Sequence, residues 1–165
     1  MKLFLSFVLL TTVVAGTLDI ISAYVHYFIK TNKVSTGMFH YIAGGALGLG
    51  TSMKGGFEVA ALGVFFHYFI AFAFTLFYFL TYPKLPVLYS NKYLSGLVYG
   101  LFVWAVMNFL VLPLSMLPQH AFSWNGAIIA ALILMFLVGL PISIGAHNYY
   151  RHIRVEKKDE DFMVN

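Results

Sequence analysis

Four long apolar runs constrain the fold of this chain more than any other feature. They cover residues 3–29, 57–82, 94–117 and 126–150 of the 165. Each is longer than the roughly 20 residues that an α-helix needs to cross the hydrocarbon core of a bilayer. Because unpaired backbone amides are not tolerated in lipid, helices are the expected spanning elements. The runs predict an all-α, polytopic membrane protein, a four-transmembrane-helix bundle.

The composition supports this class and leaves little room for a separate extramembrane domain. Hydrophobic residues make up 61% of the chain and charged residues 10%, which is unlike a soluble domain. We expect a single transmembrane domain over residues 1–154 and a charged cytoplasmic tail over residues 155–165. The chain has no cysteine, which excludes disulfides, thiolate metal sites and a cysteine nucleophile.

The basic residues predict the orientation of the bundle. In a four-helix chain both termini lie on one side, and seven of the ten lysines and arginines fall on that side. The positive-inside rule then places both termini in the cytoplasm. The formal net charge of +4 thus reflects the basic residues that orient the protein in the membrane. The expected partner is the lipid bilayer, and no nucleic-acid partner is expected.

An alternative for the first run is a cleaved signal peptide, because Lys2 precedes an apolar stretch that reaches the small residues Ala15 and Gly16. Cleavage would leave three spans. The apolar character continues to Ile29, which favours one uncleaved span.

The first loop, residues 30–56, is rich in glycine, and Val34, Met38, Tyr41 and Ile42 recur in it at helical spacing. It predicts a short interfacial helix between the first two spans, with a re-entrant loop as the alternative. Around the second loop, an interfacial aromatic belt is expected of four tyrosines: Tyr78, Tyr82, Tyr89 and Tyr93.

The third run carries the residues expected to shape helix packing. Gly96 and Gly100 stand four apart, a spacing that lets helix backbones approach closely. Pro113 is expected to kink this helix near its outer end, and Pro141 to do the same in the fourth run. Trp104 belongs to the same packing set.

Asp19 is the one acidic residue in the interior of the runs, and an ionisable side chain at that depth is a candidate functional group. With a rise of about 1.5 Å per residue, Asp19, His67 and Asn108 all fall roughly 3 to 4 Å outside the midplane. We expect Asp19 to accept a hydrogen bond from His67. The side-chain amide of Asn108 is expected to pair with the hydrogen-bonding atoms of these two groups that are still unpaired. Ser22 and His26 follow Asp19 on the same helical face.

Three interpretations of this layer stay open: a structural clasp, a site for protons or a small solute, and a haem held by His26 and His67. The clasp is favoured because interhelical hydrogen bonds are common in membrane proteins. No haem-attachment motif is present, so no cofactor and no metal are expected. The chain has no intramembrane zinc-protease signature and no Gly-x-Ser-x-Gly elbow, so we expect no enzyme and no catalytic residues.

From Val64 onward the chain carries a spaced series of residues that begins with His67, Phe74 and Tyr78 in the second run. The series continues through the third run and just beyond it: Gly96, Gly100, Phe102, Val103, Trp104, Asn108, Val111, Pro113 and Pro118. In these residues the chain resembles the YagU-like family of small bacterial inner-membrane proteins. The resemblance implies a helical bundle in the bacterial inner membrane and no defined activity. Asn108 stands where a second histidine is expected in that family, which weakens any mechanism that needs two imidazoles.

The sequence thus predicts a small bacterial inner-membrane bundle of unknown activity, with a layer that is most simply structural. Proton-coupled or pH-responsive transport of a small solute is the second hypothesis. The third is an accessory subunit of a larger membrane complex, or a homo-oligomer, that uses the Gly96/Gly100 face and the first loop as contact surfaces.

Overall fold

A computed structural model describes residues 1–32, 37–118 and 123–164, and this part of the chain is helical with no strand. Lys33, counted above among the basic residues, lies outside it. The helices in chain order are α1 (Lys2–Thr31), α2 (Gly37–Leu47), α3 (Leu49–Ser52), α4 (Phe57–Thr81), α5 (Pro86–Ser90), α6 (Lys92–Val106), α7 (Leu112–Leu114), α8 (Trp124–Ile133) and α9 (Leu140–Val164).

Four helical stretches in this part of the chain are long and apolar enough to cross a membrane, which confirms the predicted number. We name them spans 1 to 4: Lys2–Ile29, Phe57–Lys84, Lys92–Leu114 and Trp124–Val155. Span 3 ends at Leu114, three residues earlier than expected, because Ser115 adopts an extended backbone conformation. Helix α9 continues through the charged tail to Val164.

Polar side chains mark where two of the spans begin. The Asn91 side chain accepts hydrogen bonds from the backbone N–H groups of Tyr93 and Leu94, at 3.0 and 3.1 Å. Ser123 caps α8 in the same way through Gly126 N. These oxygens pair N–H groups that the first turn of a helix leaves unsatisfied.

A π-helical turn precedes each of the two prolines that the sequence marks as kink sites. The turns cover Met107–Val111, before Pro113, and Leu134–Gly139, before Pro141. Proline has no N–H, and its ring clashes with the carbonyl four residues earlier, which lies in the π turn in both cases. Widening the preceding turn is one way in which a helix accommodates that clash.

Spans 3 and 4 approach so closely that only glycine fits at their contact. A Cβ atom added at Gly100 would overlap the backbone of Leu134 and Met135, and one added at Gly139 would overlap the backbone of Gly96. The Gly96/Gly100 face is therefore occupied by the π turn of span 4 within the same chain. A protein partner would have to use another surface.

Tyrosines form a hydrogen-bonded core near the end of the bundle that carries the termini. Tyr78 is 1% exposed and its hydroxyl hydrogen-bonds to Ser95 of α6 and Ser143 of α9. We call these three residues the Tyr78 network. Ser143 in turn donates to the carbonyl of Lys92 at 2.7 Å, so the network joins spans 2, 3 and 4.

Only two of the four tyrosines of the expected interfacial belt are exposed. Tyr89 and Tyr93 are 40% and 56% exposed, but Tyr78 and Tyr82 are 1% and 3% exposed. The Tyr82 hydroxyl hydrogen-bonds to His147 Nδ1 at 2.9 Å. Because Tyr78 and Tyr82 are four residues apart in span 2, they share the face that packs on α6 and α9.

The described part of the first loop forms two short helices instead of one. Gly48 separates α2 from α3 with a φ of 77°, a left-handed conformation that glycine adopts without strain. The backbone of α2 at Phe39 packs directly against Gly63 of α4. Met116 N donates to Gly45 O at 2.9 Å, which ties α2 to the end of span 3.

Candidate functional site

A cavity of about 350 Å³ lies between the four spans and α2. Four of its lining residues carry polar side chains: Asp19, Ser22, His26 and His67. The other fifteen are apolar residues or glycine, contributed by all four spans and by Ile42 of α2. The cavity is thus a largely apolar chamber with one polar wall.

The polar wall follows from the helical periodicity of α1. Asp19, Ser22 and His26 lie at positions i, i+3 and i+7, which share one face of a helix. Ala15, Gly16 and Ala23 line the cavity on the same helix, and their small size leaves the space open. The sequence therefore places three polar groups and three very small residues on one side of α1.

His67 reaches the site from α4 and bonds to α1. Its Nε2 lies 2.8 Å from the carbonyl oxygen of Gly16. A carbonyl oxygen can only accept, so Nε2 carries a proton and is the donor of this bond. The next residue, Tyr68, shares a hydrogen bond of 2.8 Å with Thr17. The two bonds fix α1 against α4 at the level of Asp19.

The carboxyl group of Asp19 has no hydrogen-bond or ion-pair partner among the residues that the structure describes. The hydrogen bond expected from His67 is replaced by the bond to Gly16 O, and the imidazole acts on the Asp19 carboxyl only electrostatically. Ser22 Oγ donates to the backbone carbonyl of Asp19 at 2.7 Å and not to the carboxyl. The carboxyl oxygens are left for whatever enters the cavity.

Asn108 is not brought to the cavity. Its side-chain amide donates to Trp104 O, four residues earlier on the same helix, at 2.8 Å. Asn108 lies in the first π turn, and its side chain shares the Trp104 carbonyl with the backbone N–H of Met107. Of the three-residue layer, the structure brings together Asp19 and His67.

The packing residues of span 3 lie outside the cavity as well. Gly96 and Gly100 contact span 4, and Pro113 is exposed next to the π turn. Trp104 Nε1 is buried, with no hydrogen-bond partner in the described part of the chain. His26 and His67 both line the cavity, but no group of three or more histidine and acidic side chains is placed to hold a metal ion among the described residues.

Sequence reasoning missed two features that shape this region. The Thr17–Tyr68 pair and the Tyr78 network are polar contacts between spans, and neither was singled out. The sequence does contain a signal for the Tyr78 network. Tyr78 lies four residues before the end of one apolar run, and Ser95 lies one residue after the start of the next. The estimate of depth that was applied to Asp19 would therefore have placed the two residues at a similar level.

Met107, Leu134 and Val138, which belong to the two π turns, line the cavity as well. Single π turns often occur at functional sites.

No family model, curated protein or solved structure matches this chain, so the resemblance to the YagU-like family stays a prediction from the residues quoted above.

Proposed function

We propose that this protein is a small multi-pass membrane protein that binds a small solute in the central cavity and exchanges a proton through Asp19. The observation that carries the proposal is that Asp19 and His67 line one cavity of about 350 Å³. A structural clasp predicts a dry, fully packed layer at this position. A chamber with an unbonded carboxyl on its wall favours the solute-handling hypothesis instead.

The Tyr78 network supports the same choice by contrast. Its members are buried, and its hydroxyl groups bond across three spans, which is what interhelical structural contacts look like. The Asp19 wall has the opposite character, because its carboxyl makes no such bond in the described residues. The Tyr78 network and the bonds from His67 and Tyr68 to α1 join the spans without the Asp19 carboxyl, which is left for another role.

In this proposal Asp19 is the proton-binding group and His67 sets its electrostatic environment. The bond from His67 Nε2 to Gly16 O holds the imidazole in one orientation. Ser22 and His26 continue along α1 for about 10 Å beyond Asp19 and extend the polar wall towards the end of span 1 that meets the first loop. A proton could move along this wall by way of water in the cavity.

We further propose a bacterial inner-membrane location with both termini in the cytoplasm, as the charge distribution favours. Helix α2 would then lie at the outer side. Its contact with Gly63 falls six residues, or about 9 Å, beyond the start of α4, which supports a shallow position beside the bundle. Ile42 of α2 lines the cavity, so α2 would cover its outer end.

The test is proton flux into liposomes that contain the purified protein and an enclosed pH-sensitive dye. We expect flux in the wild type and its loss in Asp19→Asn. The matched control is Glu58→Gln, because Glu58 is an exposed acid in the first turn of α4 that does not line the cavity. Its removal takes away the same charge and should preserve flux.

His67→Ala provides a second arm. If wild type shows no flux, and Asp19→Asn and His67→Ala both unfold more readily, the cavity wall is a structural clasp and the proposal fails.

A further inference from the structure

The walls of the cavity specify the charge of the solute. None of its nineteen lining residues is a lysine or an arginine, and its ionisable side chains are Asp19, His26 and His67. An anionic solute would meet the Asp19 carboxylate with no fixed positive charge to offset it. With a neutral solute Asp19 would keep its proton, because an uncompensated carboxylate in a largely apolar cavity is costly. A cation can take the place of that proton and compensates the carboxylate directly.

The hydrogen-bonding groups of the cavity lining indicate which kind of cation fits. Asp19 presents acceptor oxygens that no described residue occupies, and the Nε2–H of His67 is already used by Gly16 O. Carboxylate oxygens are complemented by a ligand that donates N–H. Phe74 is the one aromatic residue of the lining besides the imidazoles, so an aromatic cage for a quaternary ammonium is absent from the described cavity. A protonated amine with N–H donors fits better.

The apolar lining of the cavity indicates what the rest of the solute is like. The side facing α1 is built of aliphatic residues of span 4, among them Ile129, Ile133 and Val138. A volume of about 350 Å³ is near the lower end for small-molecule pockets. This combination suits a short hydrocarbon chain or ring attached to the amine.

We propose that the solute is a small amphiphilic amine, bound with its ammonium group on Asp19 and its hydrocarbon part on the aliphatic wall of span 4. This inference rests on the proposed function and names its substrate class. Amine and proton compete for one carboxyl, so binding of the ammonium to protonated Asp19 releases one proton. His26 and His67 are the titratable groups that face Asp19 in the cavity, from α1 and α4.

The test compares three probes of the same length by calorimetry with detergent-solubilised protein: n-butylammonium, butan-1-ol and butanoate. We expect n-butylammonium to bind wild type and Glu58→Gln at least tenfold more tightly than Asp19→Asn. Butan-1-ol and butanoate should bind at least tenfold more weakly to wild type than the amine. Repeating the titration in buffers of different ionisation enthalpy should reveal the released proton.

The outcomes separate the two proposals. Equal binding of n-butylammonium and butan-1-ol, unchanged in Asp19→Asn, would overturn the amine assignment and leave a solute-binding cavity. Binding of none of the three probes, together with absence of proton flux, would overturn the proposed function itself. If Asp19→Asn does not fold, the ranking of the three probes on wild type and on Asp19→Glu decides the question.

Discussion

Replacing Tyr78 by phenylalanine should destabilise the bundle although the ring is kept. The substitution removes the hydroxyl that hydrogen-bonds to Ser95 and Ser143. Hydrogen bonds between membrane helices are worth about 0.6 kcal/mol on average, and buried ones in soluble proteins up to about 1.5 kcal/mol. Ser143 keeps its bond to Lys92 O, so no further group is stranded there. Two lost bonds give an expected destabilisation of about 1 to 3 kcal/mol.

The free energy of unfolding can be measured in mixed micelles by titration with sodium dodecyl sulfate. The two tryptophans of the chain report the transition by fluorescence. Tyr89→Phe is the matched control, because Tyr89 is 40% exposed and surface substitutions usually change stability by less than about 0.5 kcal/mol.

A double-mutant cycle of Tyr78→Phe with Ser95→Ala isolates one bond of the Tyr78 network. A change within about 0.5 kcal/mol for Tyr78→Phe, or additivity in the cycle, would refute the view that this network holds spans 2, 3 and 4 together.

Three further predictions follow from features of the fold. Gly100→Ala should destabilise the bundle by about 1 to 3 kcal/mol, the usual cost of overpacking, because the added methyl group meets the backbone of span 4. Gly50→Ala has open space around its Cβ and should not show this loss in the same titration. Asn91→Ala should cost about 0.5 to 2 kcal/mol through loss of the cap of α6, measured in the same way. Since the chain has no cysteine, Lys54→Cys should react with a membrane-impermeant maleimide in intact cells and Lys84→Cys should not; the reverse pattern would invert the proposed topology.

The sequence predicted the number of long apolar helices, because hydrophobic length is a one-dimensional property. The first span was expected from residue 3 to residue 29 and is found at Lys2–Ile29. The depth of a residue is one-dimensional too, which explains why Asp19 and His67 were placed at one level and do line one cavity.

The rotation of each helix about its axis was much harder to predict. Asn108 was assigned to the layer by depth alone, but its amide donates to Trp104 O on its own helix and does not reach the cavity. Tyr78 was assigned to the lipid interface because tyrosine is amphipathic, and only its rotation towards Ser95 and Ser143 shows that it is a core residue. The cavity itself arises from packing of five elements, which no local pattern encodes.

The π turn of span 4 fixes how the two halves of that span are phased. A π turn accommodates one residue more than an α-helical turn, so removing one residue from Leu134–Gly139 would let the segment return to α-helical geometry with the residues after it in nearly the same phase. Ile142, which is fully buried, and Ser143 would then stay in the core. A residue removed from α8 has no such turn to absorb the loss, and one part of the span would rotate against the other by about 100°. Natural variants of this chain should therefore tolerate a one-residue deletion between residues 134 and 139 more readily than one within α8.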